Sequence, residues 1–118
     1  MIEEVIGAAI RVHKELGPGL LESAYEFALM YEFSELGIEA ARQVEVPVKY
    51  RGQELGVGFR ADIIVSDNLL LELKAVDDFT AIHIAQLMTY LRLMNIKRGL
   101  LLNFNKKYLR DGIKRISI

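Results

Sequence analysis

The chain has no cysteine among its 118 residues, which excludes a disulfide framework and any thiolate metal site. It has no apolar run near the roughly 18 residues of a membrane span. Its first ten residues, MIEEVIGAAI, are acidic and amphipathic, unlike a secretory leader. It has no internal repeat, no low-complexity stretch and no linker. It also lacks a global basic excess, with a net charge of -1. These absences lead us to expect one soluble, cytoplasmic domain spanning residues 1–118, long enough to bury a single core.

What is present is unevenly spread. Residues 1–59 carry five Lys/Arg against ten Asp/Glu, and residues 60–118 carry ten against six. The basic excess lies mostly after Lys97, which leaves room for a local basic face. A hydrophobic content of 52% is high for this length. It suggests an apolar patch used for self-association, and hence a homodimer.

The chain is organised around FRADIIVSDNLLLELKA, residues 59–75. It reads as two apolar strands joined at Ser66-Asp67-Asn68. A three-residue loop needs a left-handed residue in third position, and Asn68 tolerates that conformation. Val65 then faces Leu69, which sets Asp62 across from Glu72. Opposed side chains lie roughly 5 Å apart on one face. Lys74, two residues on, shares that face. Two carboxylates and an amine so placed either hold a divalent cation or form an ordinary charged cluster neutralised by Arg60 and Lys74.

Ile2 to Leu16 reads as a helix with Ile2, Val5, Ile6, Ala9, His13 and Leu16 along one stripe. His13 there reads as a satisfied core histidine rather than a ligand. Gly17-Pro18-Gly19 separates it from a second helix, Leu20 to Leu36. The stripes Leu21/Ala24/Ala28/Tyr31 and Glu22/Tyr25/Leu29/Phe33/Leu36 predict that this helix is covered on more than one side. Glu22 is either a partner of the helix dipole or a third carboxylate aimed at the site.

Arg42 to Tyr50 alternates around Val44, Val46 and Val48, with Pro47 marking an edge strand. A turn at Arg51-Gly52 would pair Tyr50 with Gln53, Val48 with Leu55, Val46 with Val57 and Val44 with Phe59. The second strand then runs on to Val65. Its odd-numbered apolar face, Ala61, Ile63 and Val65, continues through Leu69, Leu71 and Leu73. Gln43, Arg60, Asp62, Glu72 and Lys74 gather opposite. Asp78 to Met94 reads as a helix capped by Asp77 or Asp78, with Ile84, Leu87, Met88 and Leu91 inward. Gln86 and Tyr90 sit on a neighbouring face, with Phe79 and His83. Lys97 to Phe104 is a strand, parallel to its neighbour by the crossover rule. Lys106 to Arg115 is basic, with Tyr108 among the charges. It reads as a solvated surface or as a phosphate-contacting face.

With these elements in hand, the chain resembles a known family. Gly19-Leu20-Leu21-Glu22-Ser23-Ala24-Tyr25 matches the motif of the GxxExxY proteins, and the likeness covers nearly the whole chain. That family looks like a small branch of the PD-(D/E)XK nuclease superfamily, whose core runs α-β-β-β-α-β, the order read here from Leu20 to Phe104. The resemblance implies an α/β (α+β), restriction-endonuclease-like fold with a mixed four-stranded sheet and an extra N-terminal helix. It puts the motif acids at Asp62 and at Glu72-Leu73-Lys74, although Ala61 stands where the motif has proline. Gln86 to Tyr90 is similar to the QxxxY element of RecB-like exonuclease domains.

What the resemblance implies is a nuclease using Mg²⁺ or Mn²⁺ on nucleic acid, DNA above all. Asp62, Glu72, Glu22 and the Leu73 carbonyl would hold the metal. Lys74 would act on the attacking water, and Gln86 and Tyr90 would position it. The alternative is a non-catalytic binding or assembly module that keeps the fold.

Overall fold

The computed structural model describes residues 1–56 and 58–118. Three helices, α1 (Ile2–Leu16), α2 (Glu22–Glu35) and α3 (Ala81–Met94), accompany seven strands. The strands are β1 (Ala40–Val46), β2 (Lys49–Tyr50), β3 (Gln53–Glu54), β4 (Phe59–Val65), β5 (Leu69–Lys74), β6 (Arg98–Asn103) and β7 (Ile113–Ser117). A 3-10 turn, Leu109–Gly112, precedes β7. Five strands form one sheet in the order β1-β4-β5-β6-β7, and β2 with β3 form a separate ribbon. Among the described residues the β5–α3–β6 unit makes the one parallel pair; the other neighbours in the sheet run antiparallel.

Alternation in β5 and β6 divides the core. Leu69, Leu71, Leu73, Leu100 and Leu102 pack beneath α1 and α2, with Tyr25, Leu29 and Phe33. Leu70 and Leu101 pack against α3 through Leu87, Tyr90 and Leu91. Because both faces are covered, these strands read as leucine runs rather than as polar alternation.

Several expectations are corrected. The sheet has five strands, because the basic C-terminal stretch returns as β7 and pairs Ile116 with Gly99. The β4–β5 turn does have Val65 facing Leu69. Its left-handed residues, however, are Ser66 (φ 49°) and Asp67 (φ 59°), not Asn68. Asn68 N–H instead donates to the Val65 carbonyl at 3.0 Å, closing a tight turn inside the three-residue loop. α3 begins at Ala81, capped by Thr80 rather than by Asp77 or Asp78. His83 N–H donates to Thr80 Oγ1, and His83 Nδ1 accepts from Thr80 N–H, so a histidine plays the part glutamate usually plays in a capping box.

The ribbon pairs Tyr50 with Gln53 as expected, and Leu55 N–H donates to the Val48 carbonyl at 3.1 Å. The expected partner of Val46, Val57, lies outside the described residues. The main ladder does not carry the ribbon register onward: Val46, not Val44, faces Phe59, and Val44 faces Ala61. Two residues separate β1 from β2 and four separate β3 from β4, which accounts for this slip of two. An even slip preserves which face each residue takes.

The apolar face is not continuous, however. Ala61 and Val46 pack on the α3 side, whereas Ile63 and Val65 pack beneath α1 and α2. The change falls at Gln43 and Asp62, where Gln43 has φ 52°. The left-handed Gln43 breaks the alternation with no inserted residue: Arg42 still faces Ile63 and Val44 still faces Ala61.

α2 is buried along one stripe only. Tyr25, Leu29 and Phe33 are inside, while Leu21 is 79% and Tyr31 64% exposed. The stripe through Leu21 and Tyr31 is therefore exposed at its ends and covered only in its middle, where Ala28 packs against the core. On α1 the inward set is Ile2, Val5, Ala8, Ala9, Val12 and His13, with Leu16 largely out. His13 is a satisfied buried histidine, its Nε2 donating to the Lys106 carbonyl at 2.7 Å.

Two glycines make opposite predictions. A Cβ on Gly112 would meet the Asn103 carbonyl oxygen at 2.5 Å, so Gly112→Val should destabilise the fold by about 1–3 kcal/mol. A Cβ on Gly7, inside α1, would meet only the tip of Arg11 at 3.7 Å, so Gly7→Ala should stabilise by about 0.5–1 kcal/mol. Urea midpoints of the two variants check both signs.

Candidate active site

The β4–β5 ladder stops at Ile63 and Leu71. Beyond it Asp62 and Glu72 stand opposite each other, and the strands part. In place of backbone pairing, each carboxylate takes an N–H from the other strand. Asp62 N–H donates to Glu72 Oε2 at 2.8 Å, and Leu73 N–H donates to Asp62 Oδ2 at 2.8 Å. This reciprocal clasp holds the fork at a fixed opening. Since Leu73 N–H faces β4, its carbonyl faces the fork as well, because the two groups of one residue point the same way in a strand. The neighbouring Lys74 carbonyl points the other way and accepts from Phe104 N–H at 2.9 Å.

Among the described residues, Asp62 Oδ1 and Glu72 Oε1 have no protein donor, and no buried side-chain oxygen lacks a partner. Both oxygens therefore open to solvent at the fork. Their charge is unwelcome there. Burial, and then the Asp62 charge, push the Glu72 carboxyl up to about 8, against the lesser opposing effects of the Asp62 N–H and Lys74. Burial also raises Asp62, opposed by the Leu73 N–H and reinforced by the charges of Glu26 and Glu22. Neither Arg60 nor Lys74 comes within 4 Å of either acid among the described residues, so the charged-cluster account lacks its ion pairs.

A cavity of about 370 Å³ beside the fork is lined by Glu22, Ser23, Glu26, Arg42, Gln43, Asp62 and Leu73. Glu22, at the exposed start of α2, faces it, and its charge is felt by both fork acids. Tyr90, on α3, lies near enough to the fork to feel the charge of both acids. Burial first, and then Glu72 and Asp62, raise its hydroxyl, while Gln86 one turn earlier lowers it. Gln86 thus stands behind Tyr90 and, with Phe59 and Val48, lines a separate small cavity.

Sequence reasoning missed Glu26, which is 4% exposed. It accepts from Arg42 Nε at 2.8 Å and from Gln43 Nε2 at 2.6 Å, anchoring α2 to the turned-over stretch of β1. Its position four residues after Glu22, on the same helical face, was the available signal. The Tyr25 of the Gly-x-x-Glu-x-x-Tyr motif was not read for its task either. Its hydroxyl donates to the Gly17 carbonyl at 2.6 Å and accepts from Leu20 N–H at 3.1 Å. Its ring stacks on Phe104 with centroids 4.4 Å apart. The tyrosine pins the link that delivers Glu22.

Two carboxylate oxygens and a carbonyl are hard donors, which suit Mg²⁺ or Mn²⁺ rather than a softer metal. Among the described residues no three His, Cys, Asp or Glu side chains converge as a metal-holding group, so Glu22 does not join Asp62 and Glu72 in one.

A family profile described as PD-(D/E)XK nuclease superfamily matches residues 1–116. The chain belongs to that superfamily. No curated protein and no solved structure matches it.

The raised acid makes a stability prediction for the metal-free protein. The folded-state value for Glu72 is about 8, above its ordinary 4.5. Stability from this group is therefore complete below pH 4.5 and is lost as pH rises to about 8. The loss should be on the order of a few kcal/mol. Glu72→Gln can still accept the Asp62 N–H, so it should flatten this profile and melt above wild type at high pH in chelator. A variant less stable than wild type at every pH would show the carboxylate to be a structural partner instead.

Proposed function

We propose that the chain is a Mg²⁺- or Mn²⁺-dependent nuclease that hydrolyses phosphodiester bonds, DNA being its substrate, within the GxxExxY branch of its superfamily. The observation that carries this reading is the clasped fork. Two acids are held against their own repulsion with one oxygen each left open, and their shifted acidity is the mark of a functional site.

In this reading Asp62, Glu72 and the Leu73 carbonyl would hold the ion, and Glu22 would face it across the cavity that it lines. When bound, the ion supplies Lewis acidity toward the water and charge neutralisation at the phosphate. Lys74 extends from the same strand end and would orient the attacking water or stabilise the charge that develops in the transition state. Tyr90, backed by Gln86, positions the water or the strand. Arg42, already committed to Glu26, keeps that acid from adding an unpaired charge to the cavity. The product carries a 5′-phosphate, by analogy with the superfamily. We place the activity in one domain, residues 1–118, acting in the cytoplasm as a homodimer through the uncovered α2 face at Leu21, Phe27 and Tyr31.

One observation favours the alternative of a non-catalytic binding module: a Glu72 carboxyl pushed up to about 8 is largely protonated at neutral pH without an ion. Cleavage separates the readings. Purified protein should cut DNA with Mn²⁺ or Mg²⁺ and not in chelator. Lys74→Ala and Glu72→Gln should each lower the rate by about 10²-fold or more, while remaining folded. Wild type inert toward DNA and RNA with both metals would remove the catalytic reading.

A further inference from the structure

A further cavity, of about 470 Å³, lies between the end of α1 and the segment after β6. Its charged residues are Lys14, Lys107 and Arg110; its apolar surface is Ile10, Tyr108 and Leu109, and no acid lines it. Among the described residues these three cations form no ion pair, whereas the adjacent Lys106 is spent on Asp78 at 2.6 Å. Lys107 Nζ and Arg110 Cζ lie 5.5 and 5.0 Å from the centre of the Tyr108 ring, so charge and aromatic surface are presented together. Tyr108 is 51% exposed. The floor is rigid: His13 Nε2 holds the Lys106 carbonyl at 2.7 Å, and Leu109 is buried.

The position of this cavity matters as much as its chemistry. Gly17 and Pro18 line it, and Glu22 lines the acidic cavity. The short link between them, pinned by Tyr25, is thus the wall between a basic cavity and an acidic one. Five residues span at most about 17 Å, so the two cavities lie within a few nucleotides of each other along one strand. Both cavities lie where β5 and β6 end, the edge at which open α/β sheets bind ligands.

We propose that the basic cavity is a binding site for one nucleotide unit of a single-stranded DNA segment flanking the scissile bond. Its phosphate is held by Lys14, Lys107 and Arg110, and its base lies on Tyr108. Unpaired cations beside an aromatic ring are the combination that grips single strands without reading sequence. The inference rests on the nuclease reading for what sits at the other end of the strand, but not for the binding itself.

Anisotropy of a fluorescein-labelled 15-nucleotide single strand, in Ca²⁺ and over a salt series, tests it. Tyr108→Ala should weaken binding about tenfold. Lys107→Ala/Arg110→Ala should weaken it and lower the slope of log affinity against log salt by about 0.7 to 1.4. In Mn²⁺ the same variants should raise KM and leave kcat near wild type. Unchanged affinity and salt slope in both variants, or a wild type that does not bind the strand, overturns the site. Wild type that binds but never cleaves leaves this site standing and removes only the nuclease reading.

Discussion

The structure depends on one exchange: Asp62 and Glu72 each accept a backbone N–H from the opposite strand. Ladder bonds end at Ile63 and Leu71, and beyond them the strands would otherwise carry unpaired groups into a buried fork. The two carboxylates satisfy those groups, at the cost of placing like charges side by side. Hydrogen bonds to charged acceptors contribute about 1.5–3 kcal/mol each, enough to hold the acids in place but not to erase their repulsion. Burial first, and then the charges around them, shift both acids upward. A site held poised in this way gains most from a cation.

The remaining elements hold the fork. The tight turn at Ser66 and Asp67 sets the register that brings Asp62 opposite Glu72. Asn103, fully buried, donates to the Val76 carbonyl at 2.7 Å and accepts from Val76 N–H at 3.2 Å, fixing the exit of β5 just past Lys74. Glu26 anchors α2 to β1 through Arg42 and Gln43, and Tyr25 fixes the link before Glu22. The motif acid on α2 is therefore located twice, once from each end of its first turns.

Much of this was legible in the sequence because strand periodicity is strict. Once Val65 faces Leu69, the opposition of Asp62 and Glu72 follows by counting, and the leucines of β5 and β6 could sit only in a sheet covered on both sides. What could not be read was non-local or depended on single dihedrals. Gln43 carries no mark that it turns left-handed inside a strand, so the change of face at Ala61 was invisible. The slip of two between ribbon and sheet arises from unequal connections. The basic segment read as a solvated surface or a phosphate-contacting face rather than as a strand, because β7 is short and only Ile116 of it is buried. On α2 two apolar stripes predicted cover on more than one side, and tertiary packing buried chiefly the one through Leu29. Helix capping by Thr80 and His83 was hidden by two better-known capping acids just upstream.

The account requires that the clasped pair be a cation site in which Glu72 stays protonated until an ion arrives. Metal binding to such a site must release protons. Calorimetric titration of Mn²⁺ at pH 7, repeated in buffers of different ionisation enthalpy, counts them. Wild type should release close to one proton per ion. Glu72→Gln should release almost none and bind the ion much more weakly. Saturable binding with no proton release, or the same release from the variant, would contradict the claim.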